Sequence, residues 1–260
     1  MTSLATDRTV PPLGGFSPTF LRLELRRLLR NKRAVIFTLV MPSVFFLLFG
    51  TDASYKTAVV GHGNRTAYIM VSMAVYGAMI ATTSGGAMVA TERALGWSRQ
   101  LRLTPLRPVA YVAIKVAVAM SMGLVAIVTV FVVGELVGAD LAFGRLVACG
   151  ALAWVCTLVF AAFGLFMGYL LPSENVMQIL GPSLALLSFA GGLFLPLDQM
   201  SDVFATIAKF TPAYGVGVLS RAPFGEGGAS LGLAVLNIAA WAAVFVAGAA
   251  WRMSRDTQRV

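Results

Sequence analysis

A chain of 260 residues with 58% hydrophobic and only 12% charged residues, at a mean hydropathy of +0.82, is far poorer in charge than a soluble domain, where charged residues run near ~25%. Lipid tolerates apolar side chains and penalises ionised ones, so this composition predicts a polytopic membrane protein. Twenty Lys+Arg against eleven Asp+Glu leave a net charge of +9. The basic residues sit beside apolar runs, which points to membrane topology and anionic headgroups and away from nucleic acid.

Residues 1–15 (MTSLATDRTVPPLGG) are polar with Pro and Gly and are expected to form a disordered tail ahead of one membrane domain over 16–260. The next stretch, FSPTFLRLELRRLLRNKR, places Arg22, Arg26, Arg30 and Arg33 on one helical face and Leu21, Leu25 and Leu28 on an adjacent one, with Leu23 off the stripe. A basic amphipathic helix of this kind suits the membrane interface, with arginines at phosphates and leucines in the acyl boundary; a topogenic charge cluster is the plainer reading. The N-terminus is polar up to Arg33, and no small-residue cleavage site follows, so the first apolar run is read as a retained helix.

Six apolar runs follow, at about 34–51, 66–90, 109–137, 146–171, 176–197 and 229–251. Most have the ~20 residues that cross a ~30 Å hydrocarbon core. Pro42 is expected to kink the first, and Pro182, Gly191 and Gly192 to break the fifth near its far end. Segment 198–228, around Pro212, Gly215, Gly217 and Pro223, suits a short helix that dips into the membrane without crossing it. Cys149 and Cys156 are seven residues apart in one apolar run, about 10 Å on a helix, too far for a disulfide.

Orientation follows from Lys and Arg. The N-terminal stretch, the loop between runs two and three (with Lys115 just inside the third) and the C-terminal tail carry fifteen, against five on the other side: Lys56, Arg65, Arg145, Lys209 and Arg221. The positive-inside rule puts both termini in the cytoplasm, which requires an even number of spans.

The chain has no G-x-x-x-x-G-K-[ST] loop to cradle ATP, a single histidine (His62), and no G-x-S-x-G. Catalysis by this chain alone, a metal site or a bound cofactor is therefore not expected. The methionines are scattered through apolar runs and suit core or lipid-facing packing better than a copper path. Lys115 is near enough to a span end to snorkel, and Glu135 lies near the other end of that run. No carboxylate falls near a midplane, which speaks against proton or sodium coupling.

Residues 91–108 (TERALGWSRQLRLTPLRP) form the longest polar segment between runs. Thr91 can cap a helix with Glu92 in its first turn, Trp97 follows Gly96, Arg99 and Arg102 share a face, and Pro105 and Pro108 end it. An aromatic anchor with arginines suits docking onto another protein. A basic interfacial loop with Trp97 at headgroup level fits equally well.

Three stretches carry a resemblance: LRLELRRLLRNKRAVIFTLVMPSVFFLLFG, ATERALGWSRQLRLTPLRPVAYVAIK and the ending WRMSRDTQRV. Together with the six-run layout they resemble ABC-2 type transporter permeases, most closely the short bacterial permeases of drug and natural-product efflux. The resemblance implies an all-α membrane fold of the type V exporter kind, with residues 19–32 as the interfacial helix and 92–103 as a coupling helix seated on an ATPase. Glu92, Arg93, Gly96, Trp97, Arg99 and Arg102 would make the contacts, with Glu174 in the turn 172–175 as a second, smaller one. It implies two ATPase subunits binding ATP and Mg, a second permease chain, membrane lipids around the spans, and no large external domain at the short loop 52–65. Segment 198–228 would be an outward re-entrant element.

Substrate would pass between the second and fifth spans of two permeases, with Ser72, Thr82, Thr83, Ser84, Ser183, Ser188 and Phe189 lining the way. The plainer reading is that Ser and Thr hydroxyls satisfy backbone, and that Gly134/Gly138 and Gly164/Gly168 bring helices close. Function is then export of hydrophobic or amphipathic compounds from a bacterial cell, including drugs and antibiotics. The other readings are export of a lipid, glycan precursor or peptide, a sensory role beside a kinase, an ion-coupled carrier, and an assembly factor.

Overall fold

The computed structural model describes residues 17–96, 100, 106–195, 200–225 and 230–258. The tail 1–15 and Trp97, Arg99 and Arg102 of the expected coupling helix lie outside the described residues.

Helix α1 (Pro18–Arg30) starts at Ser17, whose hydroxyl accepts from Phe20 N at 3.4 Å, and stops at Asn31, where the backbone leaves helical geometry (φ −78°, ψ 77°). Arg22, Arg26 and Arg30 are exposed, as the wheel predicts. Arg33 belongs to the next helix, beyond the break at Asn31. Leu28 of α1 is buried and, with Leu21 and Leu25 beside it, joins a cluster with Ile114, Val118 and Met122, whereas Leu23 and Leu29 are exposed.

Helix α2 (Lys32–Gly50) continues through Pro42 without ending there. A short α3 (Ala53–Thr57) and a two-residue hairpin, β1 (Val59–Val60) with β2 (Gly63–Asn64), lead into α4 (Arg65–Ala94). Helix α4 is the axis of the bundle. Every residue from Met70 to Thr83 is buried, and α5 (Pro108–Val137), α6 (Phe143–Cys156), α7 (Leu158–Leu170) and α2 all pack on it. Small residues permit this. A Cβ at Gly86 would come within 2.7 Å of Leu165 N, one at Gly85 within 2.9 Å of Ala119 Cα, and Gly164 and Gly168 lie against the backbone of Thr83 and Ala87. The Gly164/Gly168 pair therefore does bring α7 onto α4. Gly134 makes room for Met70 in the same way, whereas Gly138 serves as the left-handed stop of α5 (φ +97°).

The fourth apolar run is one long helical path with a hitch at Thr157, between α6 and α7, where the hydroxyl donates to Trp154 O at 2.8 Å. Helix α8 (Ser173–Ala190) carries Pro182 without interruption and ends before Gly191, short of the expected 197. Helices α9 (Asp202–Ala208) and α10 (Pro212–Arg221) meet at an 89° bend, followed by a 3-10 turn at Ala222–Phe224. The last helix is α11 (Leu231–Gln258). Cys149 and Cys156 are both free and buried.

Among the described residues, four helices are long and apolar enough to cross a membrane: Arg65–Ala94, Pro108–Val137, Phe143–Leu170 and Leu231–Arg255. The count rises to as many as six if the bent pairs α1/α2 and α9/α10 each form one span. Helix α8 is not among them, because Glu174, Asn175 and Gln178 occupy its first two turns.

The α5–α6 end of α4 is held by Asn64. Its amide donates to Gly138 O (2.9 Å), and its side-chain oxygen accepts from Ala67 N (2.8 Å) and Asp140 N (3.1 Å). That one side chain caps α4 and fastens the end of α5 to it.

Candidate functional site

At the opposite end of α4, four charged side chains from three helices meet. Glu92 sits in the last turn of α4, 2% exposed. Its Oε1 accepts from Arg27 Nη1 of α1 at 2.9 Å and from the Lys115 ammonium of α5; its Oε2 accepts from the Tyr111 hydroxyl. Lys115, also 2% exposed, donates to Glu24 Oε2 of α1 at 2.6 Å. Arg27 closes the ring with a 3.5 Å approach to Glu24 Oε1. Two carboxylates and two cations leave no formal net charge, which is the condition under which charges persist in a bundle interior.

This overturns two expectations. Thr91 and Glu92 do not begin a separate helix: α4 runs through them to Ala94, and Gly96, at φ +71°, provides the left-handed stop. Glu92 thus lies at the negative end of a helix, an unfavourable placement of about 0.3–1 kcal/mol, which its contacts with Lys115, Arg27 and Tyr111 outweigh. Nor does Lys115 snorkel, because Glu24 and Glu92 hold its ammonium inside.

Arg93 turns the other way. Its Nη1 donates to Gly168 O (3.2 Å) and Tyr169 O (3.1 Å), two of the unsatisfied carbonyls at the end of α7, with its guanidinium 5.5 Å over the Tyr169 ring. Two consecutive residues therefore tie the end of α4 to α1 and α5 on one side and to α7 on the other. Glu174 stands exposed in the first turn of α8 and makes no ion pair with the cluster.

The hydroxyl-bearing residues are scattered through the bundle. Thr82 donates to Ala78 O (2.8 Å), Thr83 to Phe160 O (3.3 Å) and Ser188 to Leu184 O (2.7 Å), all three buried. Ser183 donates to Ile179 O at 2.7 Å and is half-buried, as is Ser84. Ser72, also buried, donates to Tyr68 O (3.1 Å) and accepts from Arg221 Nη1 of α10 at 2.9 Å. Phe189 is half exposed and stacks on Phe194 at 4.8 Å between ring centres. Phe194 also meets Tyr76 (4.8 Å) and Phe45 (5.6 Å), so aromatic rings from α2, α4 and the end of α8 form one patch.

Sequence reasoning had Glu92 and Lys115 but did not join them, and it overlooked Glu24, Arg27 and Tyr111. The usable signal was Glu24, the single acid on a basic helix, together with a lysine inside an apolar run that had to find a counter-charge.

The model of the ABC-2 type transporter family matches residues 19–221, a span that holds the whole charge cluster and the aromatic patch. The chain belongs to the ABC-2 type transporter family. It is also 29% identical over 198 residues, 75% of this chain and 79% of the other, to the Bacillus subtilis (strain 168) protein named "Putative transport permease YvfS". This ABC-2 chain is thus a multi-pass membrane protein and a transmembrane subunit of an ABC transporter. Membership implies an ABC ATPase partner and a dimeric arrangement. The family match ends at Arg221, so α11 lies beyond it.

Proposed function

We propose that this ABC-2 chain is the permease of an exporter that moves hydrophobic or amphipathic compounds, such as drugs, antibiotics or natural products, out of the cell. A separate pair of ATPase subunits binds ATP and Mg and supplies the energy, and two permease chains form the path. Both termini face the cytoplasm, six spans of the type V exporter kind make one domain over 16–260, and α9–α10 form the outward re-entrant element. The observation that carries this reading is the buried ring of Glu24, Arg27, Glu92 and Lys115 immediately before the segment that resembles a coupling helix.

The reading gives each part a task. The ATPase seats the segment after Gly96, with Trp97, Arg99 and Arg102 as contacts and Glu174 as the smaller second one. ATP draws the ATPases together, and the ring transmits that displacement to α1, α4 and α5 as a rigid body, because a satisfied polar network resists shear. The spans then alternate between inward and outward openings. Cargo meets the aromatic patch around Phe189 and Phe194 and the half-buried Ser183, a lining suited to apolar or aromatic compounds.

The test is ATP-driven uptake of an amphipathic dye into inverted vesicles that hold the permease and the ABC ATPase that co-purifies with it. The expected result is uptake that needs both proteins and falls when Trp97→Ala and Arg99→Ala are combined. Uptake without the ATPase, or unchanged uptake and ATPase binding in the double variant, would contradict the reading.

A further inference from the structure

Helix α1 has two faces of opposite character. At about 100° of rotation per residue, Leu21, Glu24, Leu25 and Leu28 fall on one arc, where Glu24 meets Lys115 and Leu28 packs with Ile114 and Val118 of α5. Arg22, Leu23, Arg26, Leu29 and Arg30 fall on the opposite arc, about 120° wide, and all five are exposed. The three arginines recur at every fourth residue, so they stand one above another on successive turns. Among the described residues no carboxylate or carbonyl pairs with any of them. Arg27, between the two arcs, is the arginine of α1 that takes Glu24 and Glu92. Leu23 and Leu29 flank the stripe, one on each side, 58% and 57% exposed.

The surroundings say what covers this face. Helix α1 meets Val35–Gly50 of α2 at 62°, so it runs across that apolar helix and does not prolong it. Its inner face lies where α4 ends and α5 begins. Val112 of α5 and Met253 of α11 line one cleft, which places the half-exposed Trp251 at that same end. The Arg252 and Arg255 guanidiniums lie 5.4 Å and 4.3 Å over its ring. A tryptophan among arginines marks the headgroup level of a bilayer. At that level a row of cations edged by leucines meets phosphates and the upper acyl chain together. An acidic protein surface would satisfy the arginines and give Leu23 and Leu29 no partner.

We propose that the outward face of α1 is a docking surface for the headgroups of anionic phospholipids. Each guanidinium gains a charge-assisted bond to phosphate, and a zwitterionic headgroup offers less because its own cation competes for that phosphate. Glu24 and Arg27 stand on the same thirteen-residue helix, so lipid held on one face also fixes the ring members on the other. The binding itself needs neither cargo nor ATPase, so it stands or falls apart from the exporter reading.

The test uses the full chain in nanodiscs of equal phosphatidylglycerol and phosphatidylcholine with identical acyl chains. Native mass spectrometry counts the lipids retained, and amide hydrogen exchange over residues 18–30 is compared with that in discs of phosphatidylcholine alone. The expected result is about five-fold more phosphatidylglycerol than phosphatidylcholine retained, and slower exchange over 18–30 when phosphatidylglycerol is present. Combining Arg22→Gln, Arg26→Gln and Arg30→Gln should bring the two lipids toward equality and remove the difference in exchange. Lysine at the same three positions should keep both effects. Equal retention by the unaltered chain, identical exchange in the two kinds of disc, or a preference that survives the triple Gln change would each overturn the proposal. So would a triple Gln variant that keeps its phosphatidylglycerol and loses its ABC ATPase, because the stripe would then be a protein-binding face.

Discussion

The Lys115 ammonium lies 2.6 Å from the Glu24 carboxylate, although 91 residues separate them in the chain. That contact pins an amphipathic helix to the first turns of a membrane-spanning one, and Glu92 reaches the same ammonium from α4. Replacing buried ion pairs with well-packed apolar groups is often neutral for stability, so the ring is better understood as fixing how three helices meet than as the main source of stability.

Taking out the shared cation is the severest change. Lys115→Met would leave Glu24 and Glu92 facing one another with only Arg27 between them, a loss of about 3–5 kcal/mol. Glu24→Gln keeps the Lys115–Glu92 pair and should cost clearly less. Thermal unfolding followed with a thiol-reactive dye reads this directly, because Cys149 and Cys156 are both buried until the bundle opens. Equal midpoints for the two variants would contradict the ring as described.

Close packing on α4 makes a second expectation. Gly164→Ala places a methyl against the Thr83 backbone and should destabilise by about 1–3 kcal/mol, since backbone cannot step aside as a side chain can. Gly144→Ala meets nothing within 4 Å and should unfold no earlier than the unaltered chain. The same melting experiment compares them.

The far end of the bundle supplies a third. Arg221 is 7% exposed, donates to Ser72 at 2.9 Å and lies 4.8 Å over the Tyr68 ring. Ser72→Ala deprives a buried guanidinium of its acceptor and should cost about 1–3 kcal/mol. Adding Arg221→Met removes the orphaned donor, so the double variant should unfold above the sum of the single losses. Strictly additive losses would show that the two side chains do not act together.

Much of the helical layout was legible because span-length apolar runs leave little choice of structure. Arg65–Ala94, Pro108–Val137 and Leu231–Gln258 lie within a few residues of their sequence limits, except where α4 and α11 continue past the apolar stretch. The excess at α4 is instructive. Thr91 to Ala94 look like the start of something polar, and only the distant Arg27, Tyr111 and Lys115 explain why Glu92 stays in the helix. Helix α8 ends at Gly191 and Gly192, where those glycines were expected to break the run, while Pro182 sits inside the helix without ending it. Pairings such as Lys115 with Glu24 depend on which helices become neighbours, and hydropathy carries no record of that.

The most direct test of the central claim is the coupling ratio of the reconstituted transporter: cargo moved per ATP hydrolysed, with Glu92 intact and with Glu92→Gln. If the ring transmits the ATPase stroke, the variant keeps its ATPase bound and hydrolysing, while cargo per ATP falls by about ten-fold, equivalent to ~1.4 kcal/mol of lost coupling. An unchanged ratio in a folded Glu92→Gln transporter would show that force reaches the spans by another route.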